Sequence, residues 1–385
     1  PLRTPIGRYG GGLAALTAAD LGAHVTRAVI ERSGVDVTRV DEAFMGCARQ
    51  AGGGPNVARQ ISYRAGLGEA VPATTLNMAC GSGLRAIDLA YRAVLHDGAH
   101  AVIAGGVESM SRVPYLLTDA RWGSKMGAQT VVDGMYRDGF ACPLADMLMG
   151  ETAERLADQY GISRDEQDAY ALRSQQRAAV AQTEGRFDAQ IVPVEVRQGR
   201  AVTTLAKDEH PRADTTIDGL RKLPPVFRKT DGTVTAGNSS GITDGAAALL
   251  VCSEAELSRL KVQPVARILG VARAGVDPKV MGIGPVPATR RLLAELNLSL
   301  EDFDLVELNE AFAAQVIACD RDLRFDPERL NVNGGSIALG HPIGATGARI
   351  VVTLLHEMAR RGARRGLATL CISGGLGLSA AFERV

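Results

Sequence analysis

Cys80 closes a β-branched run and precedes a Gly-Ser-Gly turn in TTLNMACGSGLRAIDLAYRAVL, where an amphipathic helical pattern then begins. A thiol at a helix start feels the positive end of the macrodipole, which favours thiolate, and small turn residues leave room for a substrate. A buried cysteine at a tight strand–helix turn is the competing reading. His341 lies in NVNGGSIALGHPIGATGAR and is the one titratable side chain between Asn331 and Ala348. The glycines around it, Gly334, Gly335, Gly340, Gly344 and Gly347, permit close backbone approach. Pro342 pushes His341 towards extended geometry. An imidazole in such a loop suits a general base or an oxyanion donor. Cys371 ends an apolar strand pattern in LATLCISGGLGLSAAF and by itself reads as a structural cysteine. Asn309 follows the strand pattern DLVEL and opens a helical one, so a helix N-cap accounts for it.

Other chemistries have less support. Gly237-Asn238-Ser239-Ser240-Gly241 matches the G-x-S-x-G elbow of serine hydrolases after a strand-like GTVTA, with Asp244 or Asp304 and His341 in the right chain order. The residues that follow, ITDGAAALLVC, read as a turn and a buried strand, whereas an elbow runs into a helix. Gly10-Gly11-Gly12 lacks dinucleotide spacing, and no G-x-x-x-x-G-K-[ST] occurs. Lys+Arg and Asp+Glu number 43 each, which argues against a general grip on nucleic acid or an anionic membrane. No apolar run approaches the ~20 residues that span a bilayer. The six cysteines form no C-x-x-C pair and lack zinc spacing. They predict free thiols in a reducing, cytoplasmic compartment, most of them buried. The chain opens at Pro1-Leu2-Arg3-Thr4-Pro5 as if a short first strand preceded it.

The elements that must hold these residues alternate between helix and strand, as in helices near Asp20–Ser33 and Gly83–His96 and a strand at Ala101–Ala104, which predicts an α/β architecture. The chain also repeats itself. AVIERSGVDVTRVDEAFMG (28–46) resembles LLAELNLSLEDFDLVELN (292–309), and GLRAIDLAYRAVLHDGAHAVIAGGVES (83–109) resembles GARIVVTLLHEMARRGARRGLATLCISGG (347–375), in the same element order. A duplicated α/β half explains this. Residues 110–240 fit neither copy: they hold the only Trp, several Met and Pro, and a polar helix expected near Gln159–Gln182. Such an insertion on a rigid scaffold suits substrate covering and selection.

RTPIGR (3–8), NMACGSGL (77–84), GGVESMS (105–111), TAGNSSGITDGAAAL (235–249), NEAFAAQ (309–315), GGSIALGHPIGATGAR (334–349) and CISGGLG (371–377) occur in this order over nearly the whole chain. Together they resemble the thiolase family. The resemblance implies a thiolase fold of two stacked α/β halves in αβαβα layers, and a homodimer or homotetramer. It divides the chain into 1–110 plus 241–262, an inserted loop domain at 111–240, and 263–385. It implies thiolytic cleavage of 3-ketoacyl-CoA, or the reverse Claisen condensation, through an acyl-cysteine, with a dedicated acetyl-CoA acetyltransferase as the alternative. Cys80 would be the acylated nucleophile, His341 its activator and a ligand of the thioester oxygen, and Cys371 the proton shuttle. Asn309 would hold a water in the first oxyanion hole, and the Ser373 N–H would serve the second. Arg212 and Ser240 would contact CoA, and Met149 would line the acyl pocket. No metal or organic cofactor is implied; CoA is a substrate.

Three positions depart from the family pattern. Ser373 stands in a run that is usually Cys-Ile-Gly-Gly-Gly, Leu148 stands where acetoacetyl-specific members often carry His, and Pro224 replaces a common basic residue. Ketoacyl synthases and hydroxymethylglutaryl-CoA synthases share fold and nucleophile, but Cys371 and GHPIG favour a thiolase. A non-catalytic acyl-CoA-binding protein would have lost Cys80 or His341, and both are present.

Overall fold

The computed structural model describes residues 1–123, 125–198, 201–260 and 263–385; the expected boundary at 262 lies outside the described residues. The first half holds strands β1 (Leu2–Arg3), β2 (Val40–Gly46), β3 (Ala73–Leu76), β4 (Ala101–Ser109) and β5 (Thr243–Cys252). They form one sheet in the order β1-β5-β4-β2-β3. In it β5 runs antiparallel to β1 and β4, while β4, β2 and β3 are parallel. The second half holds β6 (Ala266–Gly275), β7 (Leu305–Leu308), β8 (Arg365–Ile372) and β9 (Leu376–Arg384), in the order β6-β9-β8-β7. Here β9 is antiparallel to β6 and β8, β8 is parallel to β7, and a parallel bridge from Val306 to Leu330 stands where β3 stands in the first sheet. Order and direction repeat, as the internal sequence repeat predicts.

Helices α1 (Ala18–Ser33) and α2 (Val57–Ala65) pack on the outer face of the first sheet. Helix α3 (Ser82–His96) lies on its inner face. The insertion supplies α4 (Met149–Tyr160) and α5 (Arg164–Thr183). In the second half α6 (Pro285–Leu296) covers the outer side of its sheet with α7 (Ala313–Leu323) beside it, and α8 (Ile343–Arg361) joins α3 between the sheets. These are the five αβαβα layers. Strand β4 shows why they form. Val102 and Ala104 face the central helices, Ala101 and Ile103 face α1 and α2, and all nine strand residues are buried. A strand apolar on both sides must be covered on both sides. Helix α8 is likewise buried around most of its circumference, as expected of a middle layer.

The described elements correct three expectations. The strand at Ala101–Ala104 continues to Ser109. The helix near Asp20 starts at Ala18, where Thr17 and Asp20 form a capping box. The polar helix near Gln159–Gln182 is two helices: Gly161, at φ 60°, ends α4, and Ser163 caps α5 through Glu166. The insertion is tied down at depth. Arg3 makes a buried bidentate pair with Asp208 at 2.7 and 2.9 Å. Tyr170 and Ser174 of α5 donate to the Glu310 carboxylate at 2.9 and 2.6 Å.

Candidate active site

The two central helices bring the thiol and the imidazole together. Cys80 lies two positions before Ser82, the first residue of α3, and His341 lies two positions before Ile343, the first residue of α8. Small residues let these helix starts touch. A Cβ on Gly83 would lie 2.6 Å from the Ala348 nitrogen, and one on Gly347 would collide with the Leu84 backbone. The result is Cys80 Sγ 3.3 Å from His341 Nε2. His341 is held by its backbone N–H on the Gly241 carbonyl at 2.9 Å, and its Nδ1 lies 2.6 Å from Thr346 Oγ1. The turn ahead of the thiol is bent: Ala79 has φ 44°, a left-handed conformation that Asn77 Oδ1 stabilises by accepting its N–H at 2.9 Å.

Burial decides the charge states. It pushes the Cys80 thiol up; the N–H of Ser373, the Arg49 cation and the thiol's own N–H pull it back, and Glu108 adds to the rise. The expected thiolate therefore gives way to a resting thiol, because desolvation of an anion outweighs the helix dipole. Burial, reinforced by Arg349 and Arg49, lowers His341 to about 3, so the ring is neutral at physiological pH. A neutral imidazole beside a thiol can take its proton on demand. Burial and the neighbouring Cys80 sulfur raise Cys371 well above an ordinary thiol, which keeps it protonated.

Cys371 is the penultimate residue of β8 and packs in one cluster with Met149, Phe312 and Ala311. Met149 thus shares one buried apolar cluster with the second thiol. The Ser373 backbone N–H is close enough to the Cys80 sulfur to favour its charged form. Ser373 does not take a left-handed φ; the next two residues do, Gly374 at 87° and Gly375 at 83°. The serine is therefore tolerated without backbone strain.

Asn309 is not a helix cap. Phe312 precedes the first residue of α7, and Asn309 instead leaves the end of β7 as a buried side chain. Arg349 donates to Ser336 Oγ at 3.1 Å, and Ser336 donates to Asn309 Oδ1 at 2.6 Å. The asparagine oxygen is committed, and its buried Nδ2 has no partner among the described residues. A buried amide donor left open is costly unless a ligand or water completes it.

Ser240 donates its N–H to Ala311 O at 3.0 Å, which joins its loop to the Asn309 loop. No elbow forms: Thr235 makes only an isolated bridge where GTVTA was expected to be a strand, and β5 follows the loop. Arg212 is exposed at a cleft of about 260 Å³ that His210 also lines. His210 packs against Gly241, the residue that holds His341, so the cleft adjoins the Cys80–His341 pair.

Several site residues went unassigned in the sequence. Glu108 accepts the N–H groups of Ala48, Arg49 and Gly344 at 3.1, 3.0 and 2.8 Å and locks α8 to the end of β2. It lies within GGVESMS, but nothing local reveals partners so distant. Ser336 and His210 were missed for the same reason, whereas Thr346 lies only five positions from its partner His341.

The fold and the paired thiol and imidazole set the chain beside known acyltransferases. Residues 1–255 match the thiolase N-terminal domain and 262–384 the thiolase C-terminal domain. The chain belongs to the thiolase family. It is 52% identical over 383 residues to an acetyl-CoA acetyltransferase of Chromobacterium violaceum, covering 99% of this chain and 97% of that protein. It is 50% identical over 393 residues to a beta-ketoadipyl-CoA thiolase of Pseudomonas aeruginosa, covering 100% and 98%. Its fold superposes on the crystal structure of human mitochondrial 3-ketoacyl-CoA thiolase with a TM-score of 0.96 at 42% identity, covering 100% of this chain and 97% of that one.

Proposed function

We propose that this enzyme transfers acyl groups between CoA and acetyl-CoA through an acyl-Cys80 intermediate. The observation that carries the reading is the 3.3 Å contact between Cys80 Sγ and a neutral His341 Nε2. His341 takes the Cys80 proton as the sulfur attacks the 3-keto carbon of a 3-ketoacyl-CoA. The N–H groups of Cys80 and Ser373 hold the oxyanion that forms there. The C2–C3 bond breaks, and its electron pair passes to the acetyl-CoA enolate. Asn309 Nδ2, through a water, and the protonated His341 hold the enolate oxygen. Cys371 delivers its proton to C2, and acetyl-CoA leaves. An incoming CoA thiol gives its proton to Cys371 and takes the acyl group from Cys80, and His341 returns the first proton.

Arg212, at the mouth of its cleft, and Ser240, on the loop between that cleft and the centre, contact CoA in this reading. Met149 bounds the acyl chain. The domain division is 1–110 plus 241–262, 111–240 and 263–385. The working unit is a homodimer or homotetramer, needs no cofactor beyond its CoA substrates, and acts in the cytoplasm, where its six unpaired thiols suit a reducing compartment. No helix among the described residues is long and apolar enough to cross a membrane. Incubation with acetyl-CoA followed by peptide mass spectrometry tests the reading: the acetyl group belongs on Cys80 and disappears in Cys80→Ser. Acetylation of Ser239 or Ser240 instead would revive hydrolase chemistry.

A further inference from the structure

Thr346 sits fully buried in the first turn of α8. Its hydroxyl faces the Pro342 carbonyl, four residues back, at 3.0 Å, and His341 Nδ1 at 2.6 Å. A hydroxyl has one proton and two lone pairs, and a carbonyl can only accept. The hydroxyl proton satisfies both neighbours only if it goes to Pro342 and the oxygen accepts from the ring. A neutral imidazole whose Nδ1 faces an acceptor carries its proton there, because the partner of one ring nitrogen fixes the state of the other. Nε2 is then bare, 3.3 Å from Cys80 Sγ.

We propose that Thr346 is a positioning residue that selects the Nδ1–H tautomer of His341 and so keeps Nε2 free to receive the Cys80 proton. The inference rests on the reading of His341 as the base for Cys80. In the transfer the S–H bond breaks, an Nε2–H bond forms, and the Nδ1–H of the resulting cation keeps its acceptor on Thr346. The opposite tautomer would turn Nε2–H towards the sulfur as a donor and leave no ring lone pair on that side to receive the Cys80 proton. The ring cannot readily turn to correct this, because it is buried and its backbone is tied to Gly241.

The test uses the full-length enzyme labelled with ¹⁵N-histidine. Only six histidines are present, and His341→Asn identifies the signal by its loss. Long-range ¹⁵N–¹H spectra should show protonated Nδ1 and bare Nε2 in the wild type and in Thr346→Ser, which keeps the hydroxyl. In Thr346→Val, which keeps the shape, the proton should move to Nε2. Acylation of Cys80 by acetyl-CoA should slow at least tenfold in Thr346→Val, with acetyl-CoA affinity within twofold, and Thr346→Ser should stay within threefold of wild type. A proton on Nε2 in the wild type overturns the proposal. So does a Thr346→Val enzyme that keeps Nδ1–H or acylates within twofold of wild type. If Thr346→Val does not fold, the wild-type tautomer and Thr346→Ser decide. The tautomer is read without turnover, so an enzyme that took no acetyl group would sink the proposed function while the spectra still judged this inference.

Discussion

Gly83→Ala tests whether the contact of two helix starts sets the catalytic distance. The new Cβ would lie 2.6 Å from the Ala348 nitrogen and 3.1 Å from both Ala348 Cβ and the Gly344 oxygen. Heavy atoms need about 3.5 Å, so α3 and α8 must part by about 1 Å. Most of the opposing atoms are backbone and cannot rotate away. Overpacking of this kind costs about 1–3 kcal/mol, and alanine in a helix recovers at most about 1 kcal/mol. Set against that recovery, the cost leaves a net destabilisation of up to about 2 kcal/mol. The same displacement would stretch the 3.3 Å Cys80–His341 contact past hydrogen-bonding range. Misplacement on that scale can lower a rate about 100-fold. Urea unfolding should therefore show an earlier midpoint, and acylation by acetyl-CoA should fall at least tenfold. The control is Gly275→Ala at the exposed end of β6, where the nearest atom to the new Cβ is 3.9 Å away; neither readout should move. A Gly83→Ala enzyme as stable and as fast as wild type would refute the argument.

Cys371→Ala should still accept an acetyl group on Cys80 but should not exchange the α-protons of acetyl-CoA with deuterated solvent; normal exchange would return Cys371 to a structural role. Leu148 makes the acyl pocket apolar in our reading, and each buried methylene contributes up to ~0.8 kcal/mol. We expect kcat/KM for 3-ketohexanoyl-CoA at least equal to that for acetoacetyl-CoA; a hundredfold drop would define a dedicated acetyltransferase. The His341 shift also predicts acid sensitivity. Its folded value of about 3 lies below the ~6.5 of an unfolded histidine, so its share of stability is complete above pH 6.5 and is lost as pH falls towards 3. Each pH unit in that window removes up to roughly 1.4 kcal/mol. Urea midpoints at pH 7 and pH 5 should therefore differ more in wild type than in His341→Asn, and equal differences would contradict the shift.

Residue type and turn chemistry made part of this molecule legible. Cys80 and His341 stand out because each is a reactive side chain among glycines just ahead of a helix, and both were brought to one place. The repeat was legible because each copy keeps its order of helix, turn and strand. Local reasoning failed where the deciding partner is distant in sequence. Asn309 looks like a cap because only its following helix is visible; the hydroxyl that turns its amide, Ser336, lies 27 positions on. The thiolate expected at Cys80 followed from the helix dipole, and the enclosing second half that reverses it could not be read from the neighbours of Cys80. The break at Gly161-Ile162-Ser163 was readable in principle, since a glycine stop followed by a serine cap is a local signal.

The matching positions of Cys80 and His341, each two residues ahead of the same helix in its own half, have an evolutionary consequence. Two identical lobes would meet with the same side chain on both sides: thiol facing thiol, prone to oxidation, or imidazole facing imidazole, with nothing to acylate. The centre needs unlike lobes, and covalent linkage in one chain lets one copy drift without imposing the change on the other. Neither lobe retains a whole reaction centre. A split version of the enzyme should regain activity only when first and second lobes find each other; pairs of like kind, however well they pack, stay inert.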